Sequence, residues 1–366
     1  SKVDEYFKCA FKYFCKFGIG AKPRVKAEMD PMQTGTVIHY VLEQMIKDNP
    51  KDEFVNFSDE KIVIETNKYL KDFLENKIQS SGRLDSRFNY QFMRLSKMLS
   101  FVVIRLRDEF KQSDFEPKAF ELKIGNEESE DCVKYIPIKL SDGGTITVKG
   151  SIDRVDTFVE NGRQYVRVVD YKSGTKKFEL SDILYGLNLQ MFIYLFSLCN
   201  SNHNLKGIGS GVLYMHAARE VYSMSVKRDA DNLNTEDDKA FKMHGVFLND
   251  DENDIVRHME KNMGKRGKYI DVSLTKNGYS GNIVSLEELG AISKKIDSLL
   301  VQMGQALHRG KIDQNPVEGG HNKDICSYCD YISVCKNRKE ITSRKTDTLT
   351  NDTVLAEILK GDDDNA

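Results

Sequence analysis

No stretch of the sequence approaches the roughly 20 consecutive apolar residues that a helix needs to cross a bilayer, so no membrane association is expected. The chain opens on "SKVDEYFKC", with neither an initiator methionine nor an apolar leader. It therefore reads as a cytoplasmic protein or a piece of a longer one. No G-x-x-x-x-G-K-[ST] sequence occurs, so no ATP site of the Walker A kind is expected in this chain. There is no large excess of either charge. The 54 Lys and Arg against 56 Asp and Glu leave a net charge of −2. That balance excludes a strongly basic nucleic-acid binder but leaves room for a local basic channel. No internal repeat is present.

The hydrophobic spacing that is present changes period along the chain. Residues 33–47 carry Val37, Ile38, Val41, Leu42, Met45 and Ile46 at helical spacing. A second helix is expected after Ser58, a suitable N-cap, and a third over "FMRLSKMLSFVVIRLRDEF". The period then shortens. "GTITVKGSIDRVDTF" alternates as a half-buried strand, and "QYVRVVDYK" and "IGSGVLYM" read as two more. "YGLNLQMFIYLFSL" reads as a helix. Ser285 and Glu288 form a capping box that opens a helix striped with Leu289, Ile292, Ile296, Leu299 and Met303. Residues 225–280 read as a polar, irregular insertion, and 341–366 as a polar, frayed tail. The order describes one α/β domain over residues 1–340 with a helical front end.

Asn161-Gly162 is the strongest short hairpin signal, because both residues tolerate positive φ in a type I′ turn. With those two as the loop, Glu160 faces Arg163, Asp153 faces Asp170 and Ser151 faces Lys172. Opposed carboxylates repel, with Cβ atoms roughly 5 Å apart. A divalent metal would compensate them. Lys172 lies two residues beyond Asp170 and so projects from the same face. An Asp, Asp, Lys cluster suits metal-assisted phosphodiester hydrolysis.

The seven cysteines are unevenly spread, with three in Cys326-x₂-Cys329-x₅-Cys335. In a reducing compartment such a cluster reads as metal binding rather than disulfides. Zinc or an iron–sulfur cluster would take a fourth ligand. By residue type Cys9 and Cys15 are equal candidates, and Cys132 and Cys199 read as ordinary buried thiols.

Taken with the short motifs around them, these residues resemble the RecB-type branch of the PD-(D/E)xK nucleases, and within it the nuclease domains of the AddB type. "GTVIH" matches the family G-x-x-x-H at Gly35 and His39, and "GSID" matches G-x-x-D at Gly150 and Asp153. "DYK" is the (D/E)-x-K at Asp170 and Lys172, and "QMFIY" matches Q-x-x-x-Y at Gln190 and Tyr194. The cysteine frame matches too, with Cys9 in "YFKCAFKYF" as its early member, although Ala10 stands where the family has proline.

The resemblance implies a restriction-endonuclease-like core with a mixed central sheet. It implies Mg²⁺, with Mn²⁺ able to substitute, held by His39, Asp153, Asp170 and the main-chain carbonyl of Tyr171. Lys172 would orient the attacking water or stabilise charge on the phosphate. Gln190 and Tyr194 would stand beside the site, with Glu121 and Gly35 as additional members. Cys9, Cys326, Cys329 and Cys335 would hold a [4Fe-4S] cluster that staples the two ends of the domain together. The implied activity is exonucleolytic hydrolysis of unwound single-stranded DNA, the 5′-ended strand, in double-strand break repair. The implied partner is an AddA-type helicase–nuclease protein. The alternatives are a stand-alone or CRISPR-adaptation-type iron–sulfur exonuclease, and a catalytically silent DNA-end-binding scaffold.

Overall fold

The computed structural model describes residues 1–22, 31–77, 86–125, 132–174, 178–217, 241–250, 252–320, 325–335 and 342–363. Among these, seven strands form a mixed central sheet. In chain order they are β1 (Glu116–Gly125), β2 (Cys132–Lys134), β3 (Gly150–Glu160), β4 (Arg163–Lys172), β5 (Ile208–His216), β6 (His244–Leu248) and β7 (Ile283–Val284). Their spatial order is β7-β6-β5-β4-β3-β1-β2. Neighbours β3 and β4 run antiparallel, and β4 and β5 parallel.

Helices cover both faces. Before the sheet come α1 (Lys2–Lys8), α2 (Pro31–Asp48), α3 (Asp59–Lys77) and α4 (Ser86–Gln112). The backbone N–H of Lys61 donates to Ser58 Oγ at 3.2 Å, so Ser58 caps α3 as its position predicts. The apolar stripes of α2, α3 and α4 pack with Tyr165, Val169 and Tyr171 of β4 into one core layer. On the other face lie α5 (Gln190–Cys199), α6 (Leu286–His308) and α7 (Asn351–Asp363). These pack against Ile152, Val155, Val166 and Val168. The Ser285–Glu288 capping box forms on α6, and all five residues of its expected stripe are buried.

The Asn161-Gly162 turn has φ of 52° and 75°, the left-handed pair that a type I′ turn requires. It sets the expected register from Glu160↔Arg163 to Arg154↔Val169.

The elements themselves differ from the sequence reading at five places. The strand expected over "GTITVKGSIDRVDTF" is broken, with Thr145–Ile146 separate from β3. Nor is β3 half-buried: Arg154 and Asp156 are fully enclosed. The helix around "YGLNLQ" starts only at Gln190, after Gly186 turns left-handed with φ of 81°. The stretch read as an irregular insertion contains β6 and a short helix, Ile255–Met259, and its residues 225–240 lie outside the described residues. The stretch read as a frayed tail instead forms α7, because Val354, Leu355 and Ile358 gather on one side and are buried.

Four enclosed charges lie behind the strands that carry the site. Asp156 accepts from Arg154 Nη2 at 2.9 Å and from Arg167 Nε at 2.8 Å. Glu109 of α4 accepts from Arg167 Nη2 at 2.8 Å. Burial alone would raise the Asp156 pKa, but the two guanidinium groups reverse this and hold it below the usual carboxylate range. Arg154 Nη1 also donates to the Tyr171 hydroxyl at 3.1 Å, which ties the network to β4 beside the site.

Candidate metal and nucleolytic site

The register between β3 and β4 ends at Arg154↔Val169. Beyond it β4 stays paired to β5 as far as Lys172, and β3 to β1 as far as Gly150. The two central strands therefore splay. Asp153 fills the fork, with its Oδ2 accepting from the Tyr171 backbone N–H at 2.9 Å. Asp153 consequently does not pair with Asp170, nor Ser151 with Lys172, as a continued register would require. The Ser151 hydroxyl instead donates to Glu121 Oε2 at 2.8 Å.

Glu121 enters the site through an unusual backbone. It has φ of 48° inside β1, a conformation that costs a non-glycine residue on the order of 1 kcal/mol. The pairing skips it between Phe120↔Arg154 and Leu122↔Ile152. Its carboxylate stands 3.7 Å from His39 Nδ1, and Asp153 Oδ2 lies 3.5 Å from the same nitrogen. Among the described residues, His39, Glu121 and Asp153 form the one group of three ligand-type atoms lying within 4.8 Å of each other. His39 Nε2 donates to the Tyr171 carbonyl oxygen at 3.0 Å, so two expected ligands converge on the same place.

Asp170 is buried and ion-paired with the half-exposed Lys172. It lies outside the His39 trio, but its charge acts on Asp153. Gln190 Nε2 donates to the Tyr194 hydroxyl at 3.0 Å. That hydroxyl lies over Gly150, where an added Cβ would come within 2.0 Å of it. Gly150 thus admits the tyrosine beside the fork. A Cβ at Gly35 would meet only Ser173 Oγ, at 3.9 Å, so no packing contact demands glycine there.

Burial first, and then the charge of Asp170, push the Asp153 pKa up to about 6. Burial works against a charged His39, but Glu121, Asp153 and the Tyr171 carbonyl outweigh it and hold the imidazole pKa above its ordinary value. The Glu121 pKa is lowered, chiefly by its contact with His39.

A divalent cation must displace the protons on Asp153 and His39 to use both as ligands. Affinity for Mn²⁺ is expected to rise steeply with pH below about 6, where both hold protons, and to flatten once both are released. In the metal-free protein a raised Asp153 pKa favours the protonated folded state. That contribution to stability is lost as pH rises from about 4 to about 6. Titration calorimetry and Tm measurements at pH 5.0, 6.0 and 7.5, each within about 0.1 of nominal, check both expectations. Asp153→Asn should lose the Mn²⁺-induced rise in Tm; an undiminished rise in that variant would remove Asp153 from the site.

The second cluster gathers the two ends of the chain. Cys9, Cys326, Cys329 and Cys335 line one small cavity with Pro316 and Ile325. Cys15 does not line it; it is buried in a π-helical turn, Phe14–Gly18. No three of the described cysteine sulfurs lie within 4.8 Å of one another. A tetrahedral zinc would set its sulfurs about 3.8 Å apart. Four cysteines around one cavity suit a four-thiolate site, of zinc or of an iron–sulfur core. Cys132 is buried, and burial pushes the Cys199 thiol up to about 12.

Sequence reasoning gave Glu121 only a peripheral place and missed the charge network behind the site. No sequence signal marks a left-handed glutamate inside a strand. Arg154, Asp156 and Arg167 alternate along their strands as a solvent-facing row would.

Comparison with known proteins adds a lineage to this geometry. A family model described as the PD-(D/E)XK nuclease superfamily matches residues 1–336. The chain is 30% identical over 349 residues to the B subunit of the ATP-dependent helicase/deoxyribonuclease of Thermoanaerobacter sp. (strain X514), covering 92% of this chain and 29% of that protein. It is 30% identical over 379 residues to the protein of the same name in Clostridioides difficile (strain 630), covering 99% and 32%. For Clostridium novyi (strain NT) the figures are 29% over 352 residues, covering 92% and 30%. The chain thus spans about a third of the length of the curated relatives it matches.

Proposed function

The chain belongs to the PD-(D/E)XK nuclease superfamily, and from that premise we propose that it is the DNA-hydrolysing part of an AddAB-type helicase–nuclease. The observation that carries this reading is the convergence of His39, Glu121 and Asp153, with the Asp170–Lys172 pair on the neighbouring strand. The substrate is unwound single-stranded DNA, the 5′-ended strand, and the partner is an AddA-type protein that supplies the motor. No helix among the described residues is long and apolar enough to cross a membrane; the compartment that goes with this reading is the cytoplasm.

Mg²⁺, or Mn²⁺ in its place, would be held by His39, Asp153, Asp170 and the Tyr171 carbonyl, with Glu121 beside them. When bound, the ion supplies Lewis acidity and neutralises charge on the phosphate. The chain's own groups do the rest. The Tyr171 N–H fixes the Asp153 carboxylate in the fork. The Ser151 hydroxyl does the same for Glu121. Lys172 reaches into solvent from Asp170 and can donate to the attacking water or to a non-bridging oxygen. Gln190 and Tyr194, hydrogen-bonded to one another, close the side of the fork. Cys9, Cys326, Cys329 and Cys335 hold a [4Fe-4S] cluster whose role is structural.

The test is degradation of single-stranded DNA labelled at either end, by anaerobically purified protein with and without an AddA-type partner. Degradation that requires Mg²⁺ or Mn²⁺ and stops with chelator is expected, and the labelled end reports polarity. No degradation with metal, partner and cluster all present would overturn the reading.

A further inference from the structure

The outer edge of β1 is only half paired. β2 joins it through Lys123–Gly125, so on that side residues 116–122 have no strand partner among the described residues. A groove of about 820 Å³ runs along this edge. Its walls include Lys47, Lys118, Phe120, Lys123 and His203, and Glu121 of the metal-type trio lines it too. The groove therefore meets the site at Glu121.

The spacing suits a strand leading away from the metal group. Lys118 lies three residues from Glu121, roughly 10 Å at the rise of a strand. Lys47 lies eight residues beyond His39, about 12 Å at the rise of a helix. Both walls thus carry a cation at a similar distance from the site. Lys47 contacts Glu43 and Lys118 contacts Glu116, and the lysine side chains are 45% and 46% exposed. Exposed pairs of this kind are worth about 0–1 kcal/mol. Phosphates can take over such lysines at little cost.

We propose that this groove carries single-stranded DNA to the His39–Glu121–Asp153 group, with Lys47, Lys118 and Lys123 on the phosphates and Phe120 and His203 against the bases. A single strand is favoured over duplex because ring faces among the lysines can stack only on bases whose own faces are free. The proposal rests on the nuclease reading for the identity of the strand.

The experiment measures binding of a fluorescent single-stranded oligonucleotide to the full chain by anisotropy, in chelator, across a salt series. Three phosphate contacts contribute a slope of about 2 in log K against log salt. The Lys47→Glu, Lys118→Glu, Lys123→Glu variant is expected to lose about that slope and at least roughly tenfold in affinity at 0.1 M salt. The neutral Lys→Gln triple is expected to lose the same slope with a smaller fall in affinity. A control altered at the exposed Lys71, Lys276 and Lys311 should bind within about twofold of the parent. Unchanged affinity and slope in both groove variants, or duplex competing as well as single strand, would overturn the proposal. Binding is read without cleavage. A parent protein that degrades nothing therefore counts against the nuclease reading alone, and the groove stands or falls on its salt slope.

Discussion

Lys172→Ala is expected to lower kcat for strand cleavage by roughly 10²–10³-fold while leaving divalent-metal affinity within about threefold. Lys172 is not one of the groups that converge on His39, and its ammonium contacts Asp170. Removing it takes away a donor whose value appears when charge develops on the phosphate, so the loss should fall on kcat and not on KM. Asp153→Asn should behave differently. It removes one negative charge from the trio and weakens the hold on the Tyr171 N–H. Metal affinity and kcat should then fall together. Parallel Mn²⁺ titrations and steady-state assays on the two variants separate the roles. If Lys172→Ala loses metal affinity as far as Asp153→Asn does, Lys172 acts by setting the state of Asp170 and not on the phosphate. Lys172→Arg is expected to recover only part of the rate, because a planar fork cannot reproduce a compact ammonium.

What was legible in the sequence was local. The Asn161-Gly162 turn needs only two residues to declare itself, and it sets the strand register as far as Arg154↔Val169. The capping box at Ser285 and the pair at Gln190 and Tyr194 are also short-range, and each forms as read. The fork was not legible. It exists because the Asp153 side chain, and not the β3 backbone, receives the Tyr171 N–H, a choice that no hydrophobic pattern records. Glu121 is hidden for a related reason: its left-handed φ and its contact with His39 join residues far apart in sequence. Arg154, Asp156 and Arg167 mislead in the opposite direction. Charged residues on a strand read as solvated, yet these are enclosed because Glu109 and each other supply their partners. At the C-terminal end, composition outweighed pattern. Val354, Leu355 and Ile358 already mark one side of a helix within an otherwise polar segment.

Cys326→Ser is expected to destabilise the domain far more than Cys15→Ser, Cys132→Ser or Cys199→Ser, and to be matched by Cys9→Ser. Cys9 and Cys326 meet at one cavity although roughly 300 positions separate them in sequence. A cross-link closing so long a loop restricts the unfolded chain by about 5 kcal/mol on the entropic model. The observed loss should be smaller, because other contacts join the same two segments. The Phe11 N–H donates to the Asp313 carbonyl at 3.2 Å, and the Tyr331 hydroxyl to the Ala21 carbonyl at 2.8 Å. Arg344 also donates to the Phe7 carbonyl. These bonds remain when the cysteine is replaced, so the ends should loosen without the sheet unfolding. The expected result is a fall in Tm of roughly 5–10 °C, together with loss of iron and of visible absorbance. New proteolytic cuts should be confined to residues 1–22 and 313–344. Cuts spread through the central sheet would mean that the cysteines stabilise the whole domain and not the junction of its ends. Stoichiometric zinc in place of iron, with the same pattern of cuts, would keep the staple and change only its metal.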